Sequence, residues 1–505
     1  MNNSKQIKLG AVISYFAIAF NIIAGLIYTP WMIGQIGQSD YGLYTLANSL
    51  ITLFLVDFGL GSAVSRYVSK YRAEGDEEKV NNFLGAIYKL YAIIDAIIFL
   101  ILFVLFFFLD SIYVKLSPEE LERFKIVYII SASYAVMNFP FFTLNGILTS
   151  YEKFVPLKLA DLLCKVMTIG FTVVALILGL GLYSLVTVHA IAGIVTILFK
   201  LIAVKKQTPV KANWRYADRT LYKDIFGFSV WVTVATLAQR LIFNITPSIL
   251  GIVADVSAIA VFGVIITIEG YVYTITSAIN GMFLPKISRI YADGGDAEKN
   301  LTPLLLGVGK FQYALNGVII VGFALVGELF IKLWMGVDYI DAYFGVLLVT
   351  VPGLFFNSLQ IGNTALVVQK KVKYQALIAV ISGAINVSLS FVFSYYLGVV
   401  GAALSIFVAY MFRAVATNIV CYKVLKLDIP QFVKKCYIRM SLASIATLII
   451  GWCVNQIIAD AGWGSLVLKG IIVVVAYCIS IFVIGINSSE RRSVLNKISS
   501  RLKRG

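Results

Sequence analysis

Residues 83–109 read FLGAIYKLYAIIDAIIFLILFVLFFFL and contain only two charged side chains, Lys89 and Asp95. A run of about 20 apolar residues is long enough to cross the hydrocarbon core of a bilayer as an α-helix. The core holds no water to bind the backbone, so a single crossing segment must satisfy its own hydrogen bonds as a helix. This stretch therefore predicts a transmembrane helix.

The same pattern recurs along the whole chain of 505 residues, of which 60% are hydrophobic and 13% are charged. The mean hydropathy is +0.89, which indicates that most of the chain is solvated by lipid. We expect an all-α polytopic membrane protein with about 14 transmembrane helices. The predicted spans are 9–33, 42–65, 83–109, 124–148, 154–179, 182–204, 224–250, 257–285, 302–335, 342–368, 374–397, 400–425, 435–459 and 464–487.

Three short motifs recur 217–220 residues further along the chain, which indicates an internal duplication. A repeat of this length is a duplicated helical bundle and not a solenoid unit. The motif pairs are GDEEK at 75–79 with GDAEK at 295–299, TPWMIG at 29–34 with TPSILG at 246–251, and YEK at 151–153 with QKK at 369–371.

The duplication predicts the domain organisation. Six crossings return each copy to the side of the membrane on which it starts, so the two copies are parallel repeats, a plan common among transporters. We expect an N-lobe of six helices at 1–210, a C-lobe of six helices at 211–428, and two further helices with a basic tail at 429–505.

Basic residues cluster in alternate loops, and this distribution predicts the orientation. The segment from Lys205 to Lys223 and the segment after Arg491 are rich in Lys and Arg. Cytoplasmic loops carry the excess of basic residues, so both termini are predicted to be cytoplasmic. We expect no cleavable signal peptide, because the first apolar run is too long for one. The loops assigned to the outside are short and nearly free of positive charge: 34–40, 179–183, 251–257 and 397–401.

The net charge of +16 follows from this orientation signal, and nucleic acid is not an expected partner. Basic residues near the surface can also attract anionic lipid headgroups. The five cysteines show no metal or redox spacing, and His189 is the only histidine. We therefore predict no metal site and no cofactor.

Ionisable side chains deep in the predicted helices are the candidate functional residues. Each costs about 2.5–3.5 kcal/mol on insertion scales and usually faces a cavity or a partner. The basic candidates for binding an anionic group are Arg240, Arg66, Lys165, Lys310 and Arg413. The acidic candidates for ion coupling or charge compensation are Asp57, Glu269 and Asp95. The polar candidates for cavity lining are Asn21, Gln239 and Asn244.

Arg240 is the strongest of these candidates, because it lies in the middle of a predicted transmembrane helix. A guanidinium keeps its proton and presents a fork of donors that suits phosphate. An ion pair with Asp57 or Glu269 is the alternative explanation for Arg240. Binding of a coupling Na⁺ or H⁺ is a second role open to either carboxylate.

Other candidates also have simpler explanations. Lys165 follows Asp161 by four residues, so an ion pair on one helix face competes with a cavity-lining role. Lys310 and Arg66 lie near enough to predicted helix ends for their side chains to snorkel to the surface. Asp57-Phe58-Gly59-Leu60-Gly61 is glycine-rich like a phosphate-binding loop, but no strand precedes it. Close helix packing or a hinge better explains these glycines.

The segment GQSDYGLYTL at 37–46, followed by DFGLG at 57–61 and Arg66, resembles the opening signature of the polysaccharide (oligosaccharide) flippases. These belong to the multidrug/oligosaccharidyl-lipid/polysaccharide exporter superfamily. PKIS at 285–288 is similar to the matching point of the second lobe, and six, six and two helices fit the whole chain.

The resemblance implies a flippase of the bacterial cytoplasmic membrane. It implies that alternating access of two lobes moves an undecaprenyl-pyrophosphate-linked oligosaccharide from the cytoplasmic to the outer leaflet, for cell-surface polysaccharide export. Arg240 would bind the pyrophosphate in a cationic cavity, with the other four basic candidates as helpers. Such a slot removes the cost of drawing a polar head through hydrocarbon.

Three other functions compete with this one. A cation-coupled multidrug exporter of the same superfamily would favour acidic cavity residues and usually twelve helices. A lipid II flippase stays open, although the opening signature favours capsule, O-antigen or exopolysaccharide units. A membrane glycosyltransferase or polymerase commonly needs a substantial outward loop, and the largest one here is 110–123. We therefore do not expect an enzyme.

Overall fold

The computed structural model describes residues 3–216, 219–277, 283–292, 297–488 and 490–492. These residues form helices joined by short turns, and no strand occurs among them. The helices are α1 (Asn3–Ile36), α2 (Gln38–Phe54), α3 (Leu60–Ala73), α4 (Glu77–Phe106), α5 (Leu109–Ile112), α6 (Pro118–Asn138), α7 (Thr143–Ser150), α8 (Phe154–Ile177), α9 (Gly181–Gln207), α10 (Arg219–Phe243), α11 (Thr246–Val253), α12 (Val256–Ser277), α13 (Leu284–Ala292), α14 (Ala297–Trp334), α15 (Asp341–Phe356), α16 (Gln360–Val368), α17 (Val372–Leu425), α18 (Ile429–Phe432), α19 (Arg439–Ile457) and α20 (Trp463–Ser480).

Within the described residues, 12 helical segments are long and apolar enough to cross a membrane. One of them, α17, has 54 residues and contains Gly398 with φ 55° and ψ −133°. Only glycine adopts this conformation without strain, so α17 is two spans joined at Gly398. The predicted span 42–65 is not one helix, because α2 ends at Phe54 and α3 begins at Leu60. The prediction of an all-α polytopic membrane protein is confirmed.

Local side-chain chemistry sets several helix ends. Ser117 accepts a hydrogen bond from the Glu120 N–H, and the Glu120 carboxylate accepts one from the Ser117 N–H, which forms a capping box before α6. Pro118 occupies the first helical position, where no backbone donor is needed. Asp76 caps α4 by accepting from the Lys79 N–H at 2.9 Å. The Lys79 side chain hydrogen-bonds Asp76 and lowers the pKa of its carboxyl.

Two of the repeated motifs have matching local geometry. Glu152 and Lys370, the middle residues of YEK and QKK, have left-handed φ angles of 55° and 57°. The third residue of each motif donates its backbone N–H over 2.8 Å, Lys153 to Leu148 and Lys371 to Leu366. The same turn therefore ends α7 and α16. Gly295 and Asp296, of the motif GDAEK, lie outside the described residues.

The chain separates into two compact units. The first unit comprises Met1–Gly263 and Ser390–Gly398, and the second comprises Val264–Leu389 and Val399–Gly505. In the first unit, α8 packs against α1 and α9, and α2 packs against α6. In the second unit, α14 packs against α15, α19 and α20. The lobe boundaries derived from the repeat stay a prediction.

Candidate functional site

Arg240 lies in the last turn of α10, beside a break in the predicted span 224–250. Its carbonyl accepts hydrogen bonds from the N–H groups of Asn244 (3.0 Å) and Ile245 (3.3 Å), and α11 restarts at Thr246. Pro247 in the first turn of α11 has no backbone N–H, which favours a new helix start over a continuous helix. The prediction of an uninterrupted helix is therefore wrong here.

The break gives Arg240 a distinctive electrostatic setting. A cation near a helix C-terminus interacts favourably with the exposed carbonyl groups. The side chain is half-buried, and Gln239 and Asn244 are half-buried on either side of it. No carboxylate of the described residues forms an ion pair with Arg240. The structure therefore leaves the guanidinium without internal charge compensation in the part of the chain that it describes.

Asp57 has partners other than Arg240. Its side chain accepts hydrogen bonds from the Gly61 N–H, at 2.9 Å, and from the Tyr91 hydroxyl. The chain between α2 and α3 turns through Phe58 (φ 51°) and Gly59 (φ 69°). Asp57 thus binds the free N–H of the first turn of α3 and connects that turn to α4. This capping role is invisible in a span predicted as one helix.

Lys165 and Asn21 are brought together in the first unit. The Lys165 ammonium donates a hydrogen bond to the Asn21 side-chain oxygen, which joins α8 to α1. The alternative ion pair between Lys165 and Asp161 is not formed. The Asp161 carboxylate instead lies 3.0 Å from the Lys200 ammonium and 3.7 Å from the Lys158 ammonium.

Lys165, Asp161 and Lys200 line a cavity of about 360 Å³ within the first unit. A second cavity of about 140 Å³ shares Tyr134 and Asn138 with it and reaches His189. The His189 ring meets the Tyr134 ring edge-to-face, with centroids 5.5 Å apart. The first unit therefore contains polar cavities. The positions of single charged residues within the predicted helices did not predict them.

The candidates of the second unit lie in three different settings. Lys310 is buried on α14, and its ammonium lies 2.7 and 2.8 Å from the two carboxylate oxygens of Glu490. The Arg413 guanidinium lies 4.4 Å from the centre of the Phe356 ring and 5.5 Å from that of Tyr410, a cation–π arrangement. Glu269 is half-buried on α12 and forms no ion pair with a described residue.

Arg66 and Asp95 lie on α3 and α4 of the first unit. Arg66 is exposed on α3, with its guanidinium 5.9 Å from the centre of the Tyr67 ring. Asp95 is half-buried on α4, and its Oδ1 atom has no hydrogen-bond partner among the described residues.

One polar group of the second unit was missed in the sequence. Gln312 and Asn316 are fully buried on α14; Gln312 donates to the Thr276 carbonyl at 3.2 Å. Asn316 accepts from the Asn357 side chain at 3.3 Å. The spacing of four residues between two amides in an apolar helix was the available signal, because such residues share a helix face.

Comparison with known proteins identifies the family. The profile described as "Polysaccharide biosynthesis protein" matches residues 9–291, more than half of the chain. The chain belongs to this family. Membership of the polysaccharide biosynthesis protein family confirms the resemblance carried by the opening signature.

Relatives of this family member are transporters. A protein of Shigella flexneri described as "Putative O-antigen transporter" is 25% identical over 379 residues, which cover 73% of this chain and 87% of that relative. The solved structure of the lipid II flippase MurJ, in an inward closed conformation, matches with a TM-score of 0.73 at 18% identity. The match covers 94% of this chain and 98% of MurJ.

An inward-facing multidrug resistance MATE transporter of the MOP superfamily matches with a TM-score of 0.70 at 16% identity. That match covers 84% of this chain and 99% of the transporter. At these identities the two structures establish the fold of the polysaccharide biosynthesis protein and not its cargo.

Proposed function

We propose that this protein is a flippase that translocates an undecaprenyl-pyrophosphate-linked oligosaccharide across the bacterial cytoplasmic membrane by alternating access. Family membership, together with the relationship to a putative O-antigen transporter, carries the proposal. Cell-surface polysaccharide export is the process it serves. Its role is transport and not catalysis.

Arg240 is the proposed contact for the pyrophosphate. It is a half-buried cation without an ion pair among the described residues, and it stands at a helix break where backbone geometry can change. Charge-assisted hydrogen bonds from a guanidinium to phosphate oxygens are strong and frequently bidentate. A bound pyrophosphate would supply the negative charge that compensates this guanidinium.

Arg413 and Arg66 are proposed helpers, as the family resemblance implies. The Arg413 guanidinium lies 4.4 Å from the centre of the Phe356 ring, and the Arg66 guanidinium lies 5.9 Å from the centre of the Tyr67 ring. Lys165 and Lys310 can help only if they leave Asn21 and Glu490. Gln239 and Asn244 would contribute hydrogen bonds beside Arg240. Polar lining of this kind lowers the cost of desolvating sugar hydroxyls.

The coupling ion is proposed to be Na⁺ or H⁺. Glu269 is the proposed carboxylate, because it is half-buried on a membrane-spanning helix and forms no ion pair with a described residue. Asp57 is the weaker choice, since Tyr91 and Gly61 already occupy its side chain. Asp95 is a further candidate for charge compensation.

The proposed topology follows the basic loops, with both termini in the cytoplasm. The proposed division is an N-lobe at 1–210, a C-lobe at 211–428 and two helices with a basic tail at 429–505. Single cysteines at 38 and 205, labelled in intact cells by a membrane-impermeant reagent, test the orientation. Only the cysteine at 38 should react; the opposite result would reverse the topology.

The function is tested by reconstituting the purified protein in proteoliposomes with a fluorescent lipid-pyrophosphate-oligosaccharide. We expect the labelled headgroup to cross the bilayer. Na⁺, H⁺ and voltage gradients are imposed one at a time, and the gradient of the coupling ion should increase the rate of crossing. Gradient-driven efflux of a cationic dye, without movement of the lipid-linked sugar, would establish the multidrug alternative. Preferred movement of lipid II over other lipid-linked sugars would establish the lipid II alternative.

A further inference from the structure

The end of α17 and the start of α18 border an apolar groove that contains none of the candidate residues named above. The chain leaves α17 at Leu425, turns through Lys426 (φ 57°) and enters α18 after Asp428, which caps α18 by accepting from the Gln431 N–H at 3.0 Å. Residues Val433–Ile438 then form a π-helical turn, which is wider than an α-helical turn. The last turns of α17, the start of α18 and this π-helical turn together border the groove.

The resulting cavity has a volume of about 550 Å³ and lies wholly within the second unit. We call it the α17–α18 groove. It is lined by Asn418, Ile419, Tyr422, Lys423, Ile429, Pro430, Val433, Lys434 and Ile438. Its walls are apolar and exposed, since Tyr422 is 53% and Ile438 51% accessible. A volume of about 300–1,000 Å³ is the usual range for pockets that bury a ligand.

Two lysines give the groove its charge. The Lys423 and Lys434 side chains are exposed, and neither forms an ion pair or hydrogen bond with a described residue. Both lie where membrane-spanning helices end, which is the level of the lipid headgroups. Two ammonium groups beside an apolar slot at that level match an anionic headgroup with an acyl chain below it.

We propose that the α17–α18 groove holds one anionic phospholipid as a resident ligand. Its phosphate binds Lys423 and Lys434, and one acyl chain lies along Ile419 and Ile438. The charge pattern favours a phospholipid over a second copy of this chain, because an opposing protein surface would need carboxylates to compensate both lysines. The lipid would fasten α18 to the end of α17.

The test measures binding of palmitoyl-oleoyl phosphatidylglycerol to the delipidated full-length protein by native mass spectrometry, with the matching phosphatidylcholine as the neutral-headgroup comparison. Each lysine near an anionic headgroup should contribute about fivefold in affinity. K423Q/K434Q should therefore weaken binding of phosphatidylglycerol about 25-fold and leave phosphatidylcholine unchanged. The control K205Q/K206Q removes two exposed lysines at the end of α9 that do not line the groove, so the affinity of the tight phosphatidylglycerol complex should stay unchanged.

A second variant separates the groove from general surface charge. Ile419 is 49% accessible, so I419W should fold and fill the groove. It should abolish the tight phosphatidylglycerol complex although both lysines remain. Unchanged binding in K423Q/K434Q, or an equal loss in K205Q/K206Q, would overturn the proposal. Displacement of phosphatidylglycerol by equimolar undecaprenyl phosphate would assign the groove to that lipid and overturn the proposal. A dimer that forms only after delipidation and is abolished by I419W would assign the groove to a second copy of the chain and also overturn the proposal.

Discussion

Replacing Glu490 by Gln should destabilise the protein more than replacing Lys310 by Met, although both changes break the same ion pair. Lys310 is the buried partner, with a side chain 8% accessible, whereas the Glu490 side chain is 41% accessible. Glu490→Gln leaves an ammonium in the protein interior with only a neutral acceptor. Lys310→Met leaves a carboxylate that can turn toward water.

The magnitude lies between two known limits. Exposed ion pairs contribute about 0–1 kcal/mol, and removing one partner of a buried pair costs about 3–5 kcal/mol. Because this pair is buried on one side only, we expect about 2 kcal/mol for Glu490→Gln and under about 1 kcal/mol for Lys310→Met. The double variant should recover most of the loss, since it leaves no charge uncompensated.

The effect should depend on pH. Burial raises the pKa of Glu490, but the hydrogen bonds from Lys310 and from the Asn487 N–H outweigh it and hold the pKa below the ordinary value. The stabilisation is therefore complete above the ordinary glutamate pKa of about 4.3 and is lost as the pH falls through the lower value in the folded protein. The difference in stability between the wild type and Glu490→Gln should therefore disappear as the pH falls through the pKa of Glu490 in the folded protein.

The assay is unfolding of the detergent-solubilised protein, followed by its intrinsic fluorescence at neutral pH and at stepwise lower pH. The order of apparent stability should be wild type, double variant and Lys310→Met together, then Glu490→Gln. Equal stability of the two single variants, or a double variant as unstable as Glu490→Gln, would refute the assignment of Lys310 as the buried member.

Three further comparisons, which use five substitutions, test the breaks and contacts of the helices. Gly146→Ala places a methyl group 2.8 Å from a backbone oxygen of α3 and should cost about 1–3 kcal/mol in the same unfolding assay. The matched control Gly170→Ala lies inside α8 with open space around it and should stabilise the protein by up to about 1 kcal/mol. Gly398→Ala should cost about 1–3 kcal/mol because its backbone conformation is strained for alanine. Tyr91→Phe and Asp57→Asn should give similar losses of stability, about 1–3 kcal/mol, because each weakens the same hydrogen bond; a large difference between them would show that Asp57 has another task.

The sequence predicted the membrane helices well because long apolar runs leave few alternatives. The sequence also paired the motifs YEK and QKK but did not predict their shared turn, in which Glu152 and Lys370 have the same left-handed conformation. It failed at the breaks near Asp57 and Arg240. Hydropathy does not distinguish a continuous helix from two short ones, since both bury the same apolar residues.

The candidate site was only partly predictable from how deep each charged residue lies in a predicted transmembrane helix. Depth singled out Lys165 and Lys310 as basic candidates, but it could not show that one contacts Asn21 and the other Glu490. These partners lie 144 and 180 residues away in the chain, and packing alone decides them. Arg240 differs, because the structure provides it with no described carboxylate.

Translocation of the lipid-pyrophosphate-oligosaccharide by Arg240→Ala and Arg240→Lys, beside the wild type in matched proteoliposomes, tests the central claim most directly. Loss of a hydrogen bond to a charged group costs about 1.5–3 kcal/mol, which corresponds to about 10- to 150-fold. We predict such a loss for Arg240→Ala and a smaller one for Arg240→Lys, which keeps the charge without the fork. Wild-type rates in a folded, inserted Arg240→Ala protein would contradict the account.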